Sequence, residues 1–262
     1  MLILLPPSEG KHSPVRGKPL DLGTLTFPEL SAPRQAVLDE VTRLSREEPQ
    51  RMLGVLGLGP RQADEVDRDA ALDTAPTARA DHVYTGVLYE ALGLPGLDVA
   101  ARRRATRWVR IASALFGLVG PADRIPAYRL SGDVRLPALG GVARHWSGHL
   151  GRPLAQAAGD GLVVDLRSSA YVPFWRPDRG QARQVATLRV LHEQDGRRSV
   201  VSHFNKATKG RIVRGLLEHG GSPGTPMELA DHLRGLGWQV EPQPPRAGAS
   251  VPLDVVVREL AP

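Results

Sequence analysis

Ser199-Val200-Val201-Ser202-His203-Phe204-Asn205-Lys206-Ala207-Thr208-Lys209-Gly210-Arg211 leads into Ile212-Val213-Arg214-Gly215-Leu216-Leu217. Its change of pattern sets the fold class. Val200, Val201 and Phe204 read as a strand that turns at Asn205, and Ile212, Val213, Leu216 and Leu217 then recur at the spacing of one buried helix face. Strand and helix therefore meet here around a shared core. Running the helical stripe back one turn reaches Lys209, with Lys206 three residues earlier. Both lysines fall at the positive end of a helix, an environment that repels cations and attracts anions.

The chain has 34 Lys+Arg, yet its only lysines are Lys11, Lys18, Lys206 and Lys209. Arginine keeps its proton under ordinary conditions, whereas lysine loses it when desolvated, so amine chemistry calls for lysine. Two readings stand side by side: Lys206 and Lys209 are point charges for phosphate, or one of them is a reactive amine.

With 262 residues, 41% hydrophobic and 24% charged, the chain can bury the core of one large domain or two small ones. The absence of cysteine excludes a disulfide framework and cysteine-ligated metal. Met-Leu-Ile-Leu-Leu-Pro-Pro at the start lacks a basic segment and reads as a buried strand, not a signal peptide. No run approaches the roughly 18 apolar residues of a membrane helix, and a cytoplasmic protein is expected. The net charge of +6 is matched by one segment, where Arg102, Arg103, Arg104, Arg107, Arg110, Arg124 and Arg129 face the single acid Asp123. Phosphate-bearing partners suit such a surplus.

Taken in order, Leu2–Leu5 is a strand closed by Pro6-Pro7, and residues 8–18 form a polar, basic loop at its carboxyl end, where ligands often bind. Ser31 caps a helix running to about Glu48, followed by short helices over 52–58 and 64–72, the second acidic and solvated. Tyr84 and Tyr89 flank Thr85-Gly86-Val87-Leu88. Asp98 caps a helix expected to run to Phe116, which would place Arg103, Arg107 and Arg110 on one stripe at i, i+4, i+7. A glycine-bracketed hairpin follows, Leu115 to Asp123, in which the amides at Gly117 and Gly120 could cradle phosphate. One helix is expected over 140–158; its His145/His149 pair lacks a third metal ligand nearby, and no metal or cofactor is assigned. Residues 161–166 read as a strand delivering Ser168 and Tyr171 in a turn. Strands over 185–191 and 198–204 flank the turn signal Asp195-Gly196, Thr225 and Glu228 cap a helix to Leu236, and two strands close the chain.

Leu4-Leu5-Pro6-Pro7-Ser8, Val83-Tyr84-Thr85-Gly86, Ala114-Leu115-Phe116-Gly117 through Pro121-Ala122-Asp123, Pro126-Ala127-Tyr128-Arg129-Leu130, Val163-Val164-Asp165-Leu166 with Ser168 and Tyr171, and Lys206 with Lys209-Gly210-Arg211 resemble, in that order, the YaaA-type bacterial peroxide stress proteins. The resemblance spans nearly the whole chain. It implies a single α+β domain over residues 1–262, with a mixed sheet, surrounding helices, a positively charged cleft and a helix-hairpin-helix-like element mapping to Ala114–Asp123. It further implies duplex DNA binding and a role in limiting iron-driven oxidative damage. Ser8-Glu9-Gly10-Lys11 and His203-Phe204-Asn205 depart from the better-known members.

Two classes of function follow. In a DNA-binding stress protein, phosphates would be held by Lys11, Arg103, Arg107, Arg110, Gly117, Gly120, Arg129, Lys206, Lys209 and Arg211. In an enzyme acting on a nucleobase, nucleotide or DNA lesion, Lys206 or Lys209 would be the nucleophile or acid, with Tyr84, Ser168 and Tyr171 shaping the pocket.

Overall fold

Leu2–Leu5 (β1) is buried along its whole length, as an apolar strand must be when both faces of its sheet are covered. The structure, a computed structural model, describes residues 1–194, 196–200 and 202–258, with the side chains of Ser202 and His203 set aside. β1 sits between Val109–Ser113 (β2) and Val163–Asp165 (β4), parallel to both. Gly117–Val119 (β3) returns antiparallel along β2. On the other side, Val185–Gln194 (β5) runs parallel to β4, and Val251–Val257 (β8) runs parallel to β5. Arg197–Ser199 (β6) pairs with β5, and Gln239–Pro242 (β7) closes the far edge. The mixed sheet of eight strands has the order β7-β8-β5-β4-β1-β2-β3, with β6 beside β5. With its flanking helices it forms an α+β fold.

From β1 the chain crosses to β2 on one side, then returns to β4 on the other. β1 is thus a topological switch point, and loops leaving the carboxyl ends of its neighbours diverge to open a crevice there. That end carries Pro6–Gly10, the loop after β4 and the start of the Ser202–His219 helix.

Three expectations are corrected. The helix capped by Asp98, whose Oδ1 accepts from the Ala101 amide at 2.7 Å, ends at Trp108, and Val109–Ser113 is β2. A fully buried strand reads as a continuous apolar run, which periodicity alone does not separate from a helix; the β-branched Val109 and Ile111 were the local clue. The hairpin that follows is accordingly a β-hairpin between β2 and β3, with no helix entering it, so no helix-hairpin-helix element stands at Ala114–Asp123. Residues 140–158 form two helices, Val142–Ser147 and Gly151–Ala158, instead of one.

The key helix begins at Ser202, three residues before the expected turn at Asn205. Val201 in the expected strand, and Asp195 in the Asp195-Gly196 turn, lie outside the described residues. Among the described residues no helix is long and apolar enough to cross a membrane.

Candidate functional site

The Pro6-Pro7-Ser8-Glu9-Gly10 turn is clamped to the chain's first tyrosine segment. Tyr89 donates its hydroxyl to the Pro6 carbonyl at 2.7 Å, and Ser8 Oγ accepts from the Thr85 amide at 3.1 Å. Lys11 forms a β-bridge with Tyr84, and the His12 amide donates to the Val83 carbonyl at 2.8 Å. Two segments more than seventy residues apart in sequence are thereby held as one wall.

The facing wall is the loop after β4, and Arg167 builds it. Its guanidinium grips Asp165 with two bonds of 2.9 and 2.7 Å, then donates to the carbonyls of Tyr171 at 3.1 Å and Trp175 at 2.9 Å. This buried fork fixes the turn that presents Ser168, Ala170 and Tyr171. Between the walls lies a cavity of about 300 Å³, lined by Ser8, Thr85, Tyr89, Ser131, Ser168, Tyr171 and Lys206 among others. Burial raises the Tyr171 phenol well above its usual range, so at neutral pH it is a neutral hydroxyl.

Lys11 stands behind the Ser8–Gly10 wall. Its ammonium donates to the Ser8 carbonyl at 2.9 Å and lies 4.3 Å from the centre of the Tyr128 ring. Tyr128 in turn links Tyr84, at 3.0 Å, to Ser113, at 2.7 Å, through their hydroxyls. Desolvation pulls the Lys11 amine down to about 8, although Glu9 and Asp69 favour its charged form. Asp69 is fully buried; Oδ1 accepts from the Arg129 amide at 2.8 Å, while Oδ2 has no hydrogen-bond partner among the described residues. Burial pushes its carboxyl up to about 8, against the Arg129 amide and the Lys11 charge. A lysine and a carboxyl that titrate together sit one layer beneath the cavity.

Across residues 1–243 the sequence matches the family described as Peroxide stress protein YaaA. The chain belongs to that family. A UPF0246 protein of Streptomyces coelicolor is 49% identical over 261 residues, covering 99% of this chain and all of the relative. A UPF0246 protein of Corynebacterium efficiens is 41% identical over 244 residues, 92% of this chain and 95% of that one. An uncharacterized protein of Campylobacter jejuni is 28% identical over 214 residues, covering 81% and 83%. This member of the YaaA family therefore shares between 81% and 99% of its length with these three relatives.

Of the sequence candidates, Ser168, Tyr171 and Lys206 line the cavity, and Lys11 and Tyr84 lie directly behind it. Lys209 is set deeper: its amine reaches the Leu166 carbonyl at 3.4 Å, and burial lowers its pKa against the opposing pull of Asp165. Gly210, next to it, lets the helix press on the Leu88 backbone, where a Cβ would collide. Arg129 rims the site through a 2.8 Å ion pair with Glu9. Arg211 lies elsewhere, in a groove with Trp238 and Gln239.

The arginine stripe is not continuous. Arg103 and Arg107 are exposed on their helix, but Arg110 lies on β2 and donates to the Thr106 and Val109 carbonyls at 2.9 and 2.7 Å. Arg107 also lies close enough to the Met1 amine to lower its pKa, after the larger effect of burial. It therefore occupies the amino end of β1, opposite the cavity. Other arginines of the basic segment serve backbone carbonyls: Arg102 those of Pro95 and Leu97, Arg104 those of Leu217 and Glu218, Arg124 that of Thr77.

Nor does the hairpin offer free amides. Gly117, at φ +72°, is packed under the Trp146 ring, and the Gly120 amide donates to Asp123 Oδ2 at 2.8 Å. Both are internal, so neither forms a phosphate cradle.

Sequence reasoning named none of Arg167, Ser8 and Asp69 as a site residue, although Ser8 closes the quoted Leu4-Leu5-Pro6-Pro7-Ser8 motif. Asp69 was legible only as the i+3 companion of Val66, buried on the same face of a helix read as solvated; Arg167 carried no signal beyond its place after a strand.

Proposed function

We propose that this protein serves the peroxide response by binding nucleic acid at a single unstacked nucleotide, whose base enters the cavity between the Ser8 and Ser168 walls. The carrying observation is the convergence of Ser8, of Ser168 with Tyr171, and of Lys206, from three separate segments, on a cavity of about 300 Å³. That volume lies at the small end of ligand sites and suits a base or nucleotide, not a duplex. The hydroxyls of Ser8, Thr85, Ser131, Ser168 and Tyr171 match the polar edge of a base, and Lys206 at the mouth matches a phosphate. A base must leave its stack to enter, which costs least where it is mismatched, damaged or unpaired.

Fluorescence anisotropy with intact duplex, duplex carrying one unpaired nucleotide, and single-stranded DNA tests this reading. The unpaired and single-stranded forms should bind more tightly than intact duplex, and Lys206→Ala and Ser168→Ala should erase the difference. Equal binding to all three, or variants that keep the preference, would sink it.

A second reading is favoured by Lys11. An amine with a pKa of about 8 is free in roughly a tenth of molecules at pH 7, and a free amine adds to an aldehyde with loss of water to give an imine. Borohydride reduction in the presence of abasic-site DNA would leave a covalent adduct detectable by mass. Lys11→Arg, Lys206→Arg and Lys209→Arg identify the amine involved; no adduct with wild type removes this chemistry.

A further inference from the structure

On the far side of the loop that walls the cavity lies a second concavity, an open groove of about 910 Å³. Three elements build it: the Val142–Ser147 helix supplies Arg144 and Ser147, the Gly151–Ala158 helix supplies Arg152, and the segment after Tyr171 supplies Trp175, Arg176 and Asp178. Most arginines of this chain are matched to a carboxylate or to backbone carbonyls. Arg144, Arg152 and Arg176 are not: among the described residues none of the three makes an ion pair or a side-chain hydrogen bond. The one acid in the lining, Asp178, uses Oδ1 to accept from the Gln181 amide at 2.8 Å. Three guanidinium groups thus face a shared space with one carboxylate against them.

Converging like charges repel, and the repulsion is relieved when an anion occupies the space between them. Guanidinium geometry fits phosphate oxygens in pairs. The Gly151–Ala158 helix begins in the same groove with no side-chain cap, which leaves the Gly151 and Arg152 amides as donors there, Pro153 having none. The three cations come from two helices and a loop around a groove of about 910 Å³, room for more than one phosphate.

We infer that the groove lined by Arg144, Arg152 and Arg176 binds a polyphosphate group, separately from the cavity that holds Lys206. The Arg167 fork lies between the two sites, holding the Tyr171 carbonyl on the cavity side and the Trp175 carbonyl on the groove side.

Isothermal titration of the full chain with inorganic tripolyphosphate tests this, with a short oligothymidylate as a second arm. Tripolyphosphate should bind one to one, and Arg144→Ala, Arg152→Ala and Arg176→Ala should each weaken it roughly tenfold, the size of a charge-assisted hydrogen bond. Arg→Lys at the same positions should weaken it less. All three side chains are exposed, so melting temperatures should hold and folding should not confound the result. Lys206→Ala should leave tripolyphosphate binding unchanged, which separates this groove from the cavity. Absent tripolyphosphate binding, or binding that survives the triple alanine variant, overturns the inference. Oligothymidylate binding lost in the triple variant, without tripolyphosphate binding, also overturns it and assigns the groove to a nucleic-acid path.

Discussion

Asp69 has one oxygen bonded to the Arg129 amide and the other without a donor, and this asymmetry makes it sensitive to pH. Its carboxyl is raised from 3.8 to about 8, so between those values the folded state holds a proton that the unfolded chain has released. Stability therefore falls as pH rises through that window. Lys11, lowered from 10.5 to about 8, acts in the next window: from about 8 to 10.5 the unfolded chain holds the extra proton, and stability climbs with pH. Together the pair puts a minimum near pH 8. Asp69→Asn keeps an oxygen for the Arg129 amide and removes the first limb. Between pH 5 and 7.5, wild type should lose on the order of 3 kcal/mol relative to this variant, read from urea unfolding at both pH values. Parallel pH curves for the two proteins would show that Asp69 does not titrate in this window.

The β2–β3 hairpin is an element whose position rests on a buried arginine distant in sequence. Arg34, with no exposed surface, donates to the carbonyls of Phe116 at 3.0 Å and Leu118 at 2.7 Å from the hairpin, and to Thr26 at 2.7 Å and Phe27 at 3.1 Å before its own helix. Arg34→Met would fill much of the volume but take a donor from four carbonyls, of which Phe116 and Phe27 keep another, from the Leu118 and Leu30 amides at 2.9 and 3.0 Å, and should cost about 3 kcal/mol. Gly117→Ala should cost roughly 1–3 kcal/mol, since its φ of +72° and the Trp146 ring both resist a Cβ. Denaturant midpoints check both; a loss under 0.5 kcal/mol, the usual range of a surface change, would mean the hairpin repacks freely. This element also shows where the sequence stopped being readable. Apart from Arg110 and Ser113 the residues of β2 are apolar and buried because both of its faces are covered, and that blurs the alternation by which a strand announces itself. Elements with one wet face read well: the Thr225 cap accepts from the Glu228 amide through Oγ1 at 3.2 Å, and the stripe Ile212, Val213, Leu216 and Leu217 is fully buried. The cavity was legible as separate polar turns at strand ends, since loops are local. Its second layer was not, because Asp69 and Arg167 reach it through contacts that no local pattern encodes.

At the scale of the molecule, sequence reading treated the cations as one surface, whereas the sheet holds them apart. Val109 pairs with Ile3, so the helix carrying Arg103 and Arg107 enters the sheet at its amino end, while Lys206 stands over the carboxyl end. The four residues of β1 at roughly 3.3 Å each separate the two by more than one Debye length at physiological salt, about 8 Å. These cations therefore act on a polyanion independently unless it wraps the protein. If nucleic acid binds at the cavity, as proposed, Lys206→Ala should reduce the slope of log affinity against log salt by roughly 0.7 for a single strand. Arg103→Ala with Arg107→Ala should leave that slope within experimental error, even though it removes twice the charge. Arg110→Ala should behave like a stability variant, since its guanidinium is committed to the Thr106 and Val109 carbonyls. The reverse pattern, a slope reduced by about 1.4 in the Arg103/Arg107 variant and unchanged in Lys206→Ala, would move the interface to the amino end of the sheet and leave the cavity without a role in nucleic-acid binding.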